Sequence, residues 1–92
     1  MSEIRASHIL VKTKQEADDL KLLIDGGRSF EELAKNNSKC PSGASGGDLG
    51  WFGKGMMVAP FEKACFEMTE GQVSPPVQTQ FGYHLIKLTG KK

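Results

Sequence analysis

Ile4-Arg-Ala-Ser-His-Ile-Leu-Val11, followed after Lys12 by Thr13-Lys-Gln-Glu16, switches the chain from a two-residue period to a helical one. Alternation puts Ile4, Ala6, His8 and Leu10 on one face of a strand. Thr13 and Glu16 have the spacing of a capping box, in which Thr13 caps an amide and Glu16 reaches back. The helix they open carries Ala17, Leu20 and Ile24 at three- and four-residue steps, and Gly26-Gly27 ends it. A strand that runs directly into an amphipathic helix is the start of a mixed α and β domain.

Reading outward from that start, Ser29 and Glu32 form a second box before a short helix with Phe30, Leu33 and Ala34, closed by Asn36-Asn37. Ser38 to Gly47 reads as a loop rich in serine and glycine, in which Pro41 keeps Cys40 in extended backbone. Asp48 to Phe52 is a short strand. Pro60 suits the first turn of a third helix with Phe61, Ala64, Cys65 and Met68 as its apolar positions. Glu70-Gly71 makes a turn. Val73 to Val77 reads as a strand interrupted by Pro75-Pro76, which suits a sheet edge. Gln78 to Phe81 is the expected hairpin connection, and Tyr83 to Leu88 the last strand, with His84, Ile86 and Leu88 on one face. The order β-α-α-β-α-β-β predicts an α+β fold with a four-stranded, mostly antiparallel sheet, residues 1–92 forming a single domain.

Composition narrows the function classes. At 38% hydrophobic and 25% charged the chain is an ordinary globular sequence. Twelve basic and 11 acidic residues, well mixed, leave a net charge of +1, whereas nucleic-acid binding rests on a concentrated basic surface. No nucleic-acid partner is expected. The stretch Met1 to His8 holds no apolar run suited to a signal peptide, and Leu22-Leu23-Ile24 is far too short to span a bilayer. A cytoplasmic monomer without integral membrane association is the expectation. Cys40 and Cys65 are too few for a disulfide scaffold and read as free thiols.

The segments His8-Ile-Leu-Val-Lys12, Cys40-Pro-Ser-Gly43, Gly46-Gly-Asp-Leu-Gly-Trp-Phe52, Pro60-Phe61 and Gln80-Phe-Gly-Tyr-His84 occur in the order typical of parvulins. From about Ile4 to Leu88 the chain resembles the small stand-alone members of that family of peptidyl-prolyl cis/trans isomerases. The resemblance implies a βα3β3 fold enclosing a shallow groove. It implies a catalytic centre at His8 and His84 on adjacent strands, Cys40 on the groove wall, and Thr79 hydrogen-bonded to the histidine pair. It also implies a proline pocket of Leu49, Met57 and Phe61, with Phe81 bordering the site for the residue before proline. Proline-containing peptides and flexible protein segments would be the partners, and no cofactor or metal is implied.

These residue types suit the reaction. A planar peptide bond resists rotation by ~18–20 kcal/mol because nitrogen shares its lone pair with the carbonyl. No covalent bond need break, so catalysis requires only that a twisted, less polar amide be favoured over the planar one. An apolar groove does this, and facing imidazoles that share a proton set its electrostatics and would orient Cys40. Covalent attack by Cys40 is not favoured, since parvulins can carry aspartate at the matching position. Phosphate-directed parvulins carry a longer, arginine-bearing loop after the first strand. Here that connector is Lys12-Thr13-Lys14, so no phosphate requirement is expected, and Phe81 favours an apolar residue before proline.

Other readings compete. Each histidine alone is more often structural than catalytic. A zinc site of His8, His84 and Cys40 lacks close-spaced ligand pairs. The glycines of Gly43 to Gly50 lack a phosphate-loop pattern. Cys65 reads as core filler, Trp51 as a packing residue, and Met56-Met57 beside Gly53 and Gly55 as an adaptable lip. A noncatalytic proline-peptide-binding or chaperone module on the same fold is the main alternative.

Overall fold

The computed structural model describes residues 3–92, so Met1 and Ser2, the start of the stretch read against a signal peptide, lie outside the described residues. Strand β1 (Ile4–Val11) leads into helix α1 (Lys14–Asp25) and α2 (Phe30–Asn37). Strand β2 (Asp48–Phe52), helix α3 (Ala59–Glu67) and strands β3 (Val77–Thr79) and β4 (Gly82–Lys91) follow. The four strands form one antiparallel sheet in the order β2-β1-β4-β3. Beyond β1 and β4 the ladder continues, Glu3 N–H donating to Lys92 O and Lys92 N–H to Glu3 O, both at 3.0 Å.

The central strands are apolar on both faces because helices cover both. On one face Ile4, Ala6, Ile86 and Leu88 pack with Phe52 and with Phe61, Cys65 and Met68 from α3 and its end. On the other, Ile9, Val11 and Leu85 pack against Ala17 and Leu20 of α1 and Phe30, Leu33 and Ala34 of α2. The alternation read from the sequence therefore holds, and it turns His8 and His84 toward the α3 side. Both cysteines are free. Among the described residues no helix is long and apolar enough to cross a membrane.

The helix caps form by half. Glu16 N–H donates to Thr13 Oγ1 at 3.2 Å, but the Glu16 carboxylate accepts the Thr13 hydroxyl at 3.0 Å instead of reaching the Thr13 amide. Glu32 N–H likewise donates to Ser29 Oγ at 3.2 Å, while the Glu32 carboxylate lies 3.9 Å from the Arg28 guanidinium. A hydroxyl or a cation within reach outcompetes the backbone amide for each carboxylate.

Several expected boundaries move. The loop Ser38 to Gly47 contains a 3-10 helix at Pro41–Ser45, whose first residue has no N–H to leave unsatisfied. The third helix stops at Glu67, and Met68 is an extended cap that stays buried in the core. The edge strand does not run from Val73 to Val77. Val73 makes only an isolated bridge to Lys87, and Ser74 N–H donates to Ile86 O at 2.8 Å. Pro75 and Pro76 have no N–H for the ladder, so regular pairing starts at Val77 and continues through Thr79. The hairpin turn then shrinks to Gln80-Phe81, between paired Thr79 and Gly82. The last strand, by contrast, runs past Leu88 to Lys91, with a bulge opposite Arg5 and Ala6.

Candidate active site

In the β1–β4 register His8 stands opposite Ile86 and His84 opposite Leu10, which makes the two imidazoles diagonal neighbours on one face. Their Nδ1 atoms are 2.9 Å apart. The ring planes differ by 17° with centroids 5.1 Å apart, so the rings meet edge to edge. Phe61 of α3 stands perpendicular to both, at 5.6 Å and 83° from His8 and 5.3 Å and 81° from His84. Only 5% of His8, 4% of His84 and 2% of Phe61 is exposed, so the pair has little water to hold a charge.

Burial, reinforced by the neighbouring ring, pushes His8 down to about 4. Burial lowers His84 as well. Both imidazoles are thus neutral at neutral pH, with one proton between the facing Nδ1 atoms. The outer nitrogens are also engaged. His8 Nε2 lies 3.1 Å from Ser42 Oγ, and His84 Nε2 lies 2.8 Å from Thr79 Oγ1. Thr79 Oγ1 in turn accepts Phe81 N–H at 3.1 Å. A continuous chain of hydrogen bonds therefore runs from Ser42 through His8, His84 and Thr79 to the backbone of Phe81.

Ser42 is the residue that the sequence reading misses. It sits on the 3-10 helix, inside the Cys40-Pro-Ser-Gly43 segment, and takes the outer nitrogen of His8. Among the described residues no hydrogen bond engages the Cys40 thiol, so the expected orientation of Cys40 by the pair is not what the structure shows. Cys40 does lie on the groove wall, where the sequence placed it. The 3-10 helix is pressed onto β1 through Gly47. His8 N–H donates to Gly47 O at 2.9 Å, and Gly47 N–H donates to Ser42 O at 2.8 Å. Gly47 has φ +89°, and a Cβ there would lie 2.4 Å from His8 O. Only glycine allows so close an approach.

Above the pair opens a groove of about 430 Å3 lined by His8, Leu10, Cys40, Leu49, Met56, Met57, Val58, Phe61, Phe81 and His84. That volume is within the range of small-ligand sites. Leu49, Met57 and Phe61 come together here as anticipated, with Phe81 at the mouth, 61% exposed. Leu10, Met56 and Val58 join them. Leu10 was signalled by its shared face with His8, whereas nothing in the local pattern marks Val58. Thr79 stands behind His84, outside the lining. Trp51 is remote from this chemistry, its ring lying against Gly90 and under the Lys92 ammonium at 4.5 Å. Among the described residues no three His, Cys, Asp or Glu side chains gather as a metal site, and all four ring nitrogens of the pair have partners.

Residues 8–90 match the family described as Rotamase, PPIC-type PPIASE domain. The foldase protein PrsA of Geobacillus sp. (strain WCH70) is 53% identical over 91 residues, which are 98% of this chain and 33% of that protein. The crystal structure of the peptidylprolyl isomerase PrsA from Bacillus anthracis superposes with a TM-score of 0.98 at 53% identity, over 99% of this chain and 42% of that one. The solution structure of NmPin, the parvuline of Nitrosopumilus maritimus, gives 0.87 at 44% identity over 98% of each chain. The chain spans about a third of the length of the curated PrsA relatives it matches, and nearly all of NmPin.

Proposed function

This chain belongs to the PPIC-type family of peptidyl-prolyl cis/trans isomerases, the parvulins, and from that premise we propose that it rotates X-Pro bonds noncovalently in the apolar groove. The observation that carries the reading is the neutral histidine pair, stacked edgewise on Phe61 beneath an apolar cleft. In this reading Leu49, Met57 and Phe61 hold the prolyl ring, and burying that ring is worth roughly 1–3 kcal/mol. The amide then lies over a surface that offers a planar, polar peptide no compensation for lost water. The twisted amide carries less charge separation and loses less there, so the groove stabilises the twisted state over the planar one. His8 and His84 hold the floor of the site in one arrangement without placing a net charge under it, and Thr79 ties that floor to Phe81.

Noncovalent action is supported by the bonding of His8. A nucleophilic thiol needs an aligned base, and His8 Nε2 is committed to Ser42 while Nδ1 faces His84. For the residue before proline, the exposed ring of Phe81 favours an apolar side chain. A phosphate requirement has little support. Only Lys12 and Thr13 join β1 to α1, no arginine is among them, and Lys14 is paired with Asp18 at 3.1 Å.

Flexible, proline-containing segments of other proteins are the proposed substrates, in keeping with the foldase names of the PrsA relatives. A monomer is the proposed acting form, since helices of the same chain cover both faces of the sheet. Two unpaired thiols suit a reducing compartment such as the cytoplasm. The deciding experiment follows cis/trans exchange in short Leu-Pro, Glu-Pro and phosphoserine-Pro peptides. Acceleration is expected, largest for Leu-Pro. Binding without acceleration would make the chain a peptide-binding module, and a phosphopeptide preference would refute the substrate reading.

A further inference from the structure

The geometry points to Met56 as a specificity-determining residue that grips the side chain following proline and selects apolar residues there. The inference deepens the isomerase reading and rests on it. Met56 is 68% exposed, yet it lines the groove. So large an apolar side chain in water gains contact area as soon as an apolar neighbour covers it.

Topology places Met56 opposite Phe81. Met56 lies in the connection that leaves β2, at one edge of the sheet, and Phe81 in the turn that leaves β3, at the other. His8 and His84 lie between them on the two central strands. A peptide with its preceding residue at Phe81 and its prolyl ring over Phe61 therefore leaves the groove past Met56. The Met56 connection is held in shape without a ligand. Gly53 N–H donates to Met56 Sδ at 3.3 Å, and Gly55 N–H donates to the Glu62 carboxylate. Gly55 takes φ +88°, a turn that only glycine adopts readily, and Met56 stays exposed at its side. The charged groups nearest in sequence are occupied elsewhere, Glu62 on Gly55 and Lys54 over the Phe66 ring at 5.5 Å. Apart from the weakly donating Cys40 thiol, the side chains of the groove lining therefore offer a polar or acidic residue no free partner, while an unbranched thioether adapts to apolar side chains of different shape.

The test uses Leu-Pro-Y peptides with Y as Leu, Ser or Asp, and compares kcat/KM by cis/trans exchange. The wild-type chain is expected to favour Leu over Ser by about fivefold, with Asp poorer still. In Met56→Gln the Leu-to-Ser ratio should fall to within about twofold, and Met56→Leu should restore it. Leu22→Gln, at an equally exposed position on α1 outside the groove, should leave the ratio unchanged. Both positions are exposed, and thermal melts check that each variant keeps its fold. If the peptides are isomerised but the wild-type ratio is near one, or survives in Met56→Gln, the inference is overturned while the isomerase reading stands. If no peptide exceeds its uncatalysed rate, the reading itself falls.

Discussion

His8 carries the clearest pH signature in the molecule. In the unfolded chain its ring titrates near the ordinary value of 6.5, and in the fold burial pushes it down to about 4. The folded state therefore binds fewer protons between those values. Stability is full above the unfolded value and is lost as pH falls toward the folded one, by on the order of 3 kcal/mol. His84 shifts in the same direction, and the two rings titrate as a pair, so their effects do not simply add. Urea unfolding near pH 7.5 and near pH 4.5 should give a clearly lower midpoint at the acidic value. Equal midpoints would contradict neutral burial of the pair. Phe61 makes a second test at this scale. Phe61→Ala would empty a site that is 2% exposed and cost about 3–5 kcal/mol, confusing folding with function. Phe61→Leu keeps an apolar side chain at a cost of about 1–2 kcal/mol but removes the flat ring beneath the pair. Its kcat/KM should fall about tenfold with the melting transition still cooperative. Unchanged efficiency would remove Phe61 from the substrate site.

At the scale of elements, the 3-10 helix Pro41–Ser45 is the part that turns a strand histidine into half of a relay. Its grip on β1 passes through Gly47 backbone atoms, and no side chain fits between them. Gly47→Ala should therefore push the helix off β1, separate Ser42 from His8 and destabilise the domain by roughly 2–3 kcal/mol. Denaturant unfolding measures the cost, and loss of the His8 ring signal shift in NMR reports the separation. A fully stable Gly47→Ala with an unchanged His8 signal would show that the close approach is dispensable. This element also shows what local patterns reveal. His8 and His84 are legible because a two-residue period decides which face a strand side chain takes. Thr13 and Ser29 are legible as caps because the bonds they accept are three residues away. The Ser42–His8 bond spans 34 residues, and its existence depends on how high the 3-10 helix rides on the sheet. No local spacing encodes that height. The edge strand is misread for a related reason. Pro75-Pro76 does signal interrupted pairing, but whether the ladder resumes before or after the prolines is set by what β4 offers opposite them.

For the molecule as a whole, the site is a product of long-range pairing. The histidines are separated by 76 residues, and the groove takes side chains from β1, the 3-10 segment, β2, α3 and the β3–β4 turn. Activity and backbone structure should then disappear together. Isomerase rate and far-ultraviolet circular dichroism, followed through one denaturant series, are expected to give superimposable transitions. An active intermediate with part of its sheet melted would break that expectation. The antiparallel pairing of β3 with β4 is legible in the sequence, since a short connection favours antiparallel neighbours, whereas β1 meets both β2 and β4 across long stretches of chain. The placement of β1 between β2 and β4 is settled only by its two apolar faces meeting two separate helix layers. That placement reaches into the birth of the protein. While the chain leaves a ribosome, β1 waits for β4, the last of the four strands to be made, so the histidine pair cannot form until His84 has emerged, and Pro41, Pro60, Pro75 and Pro76 all emerge before it does.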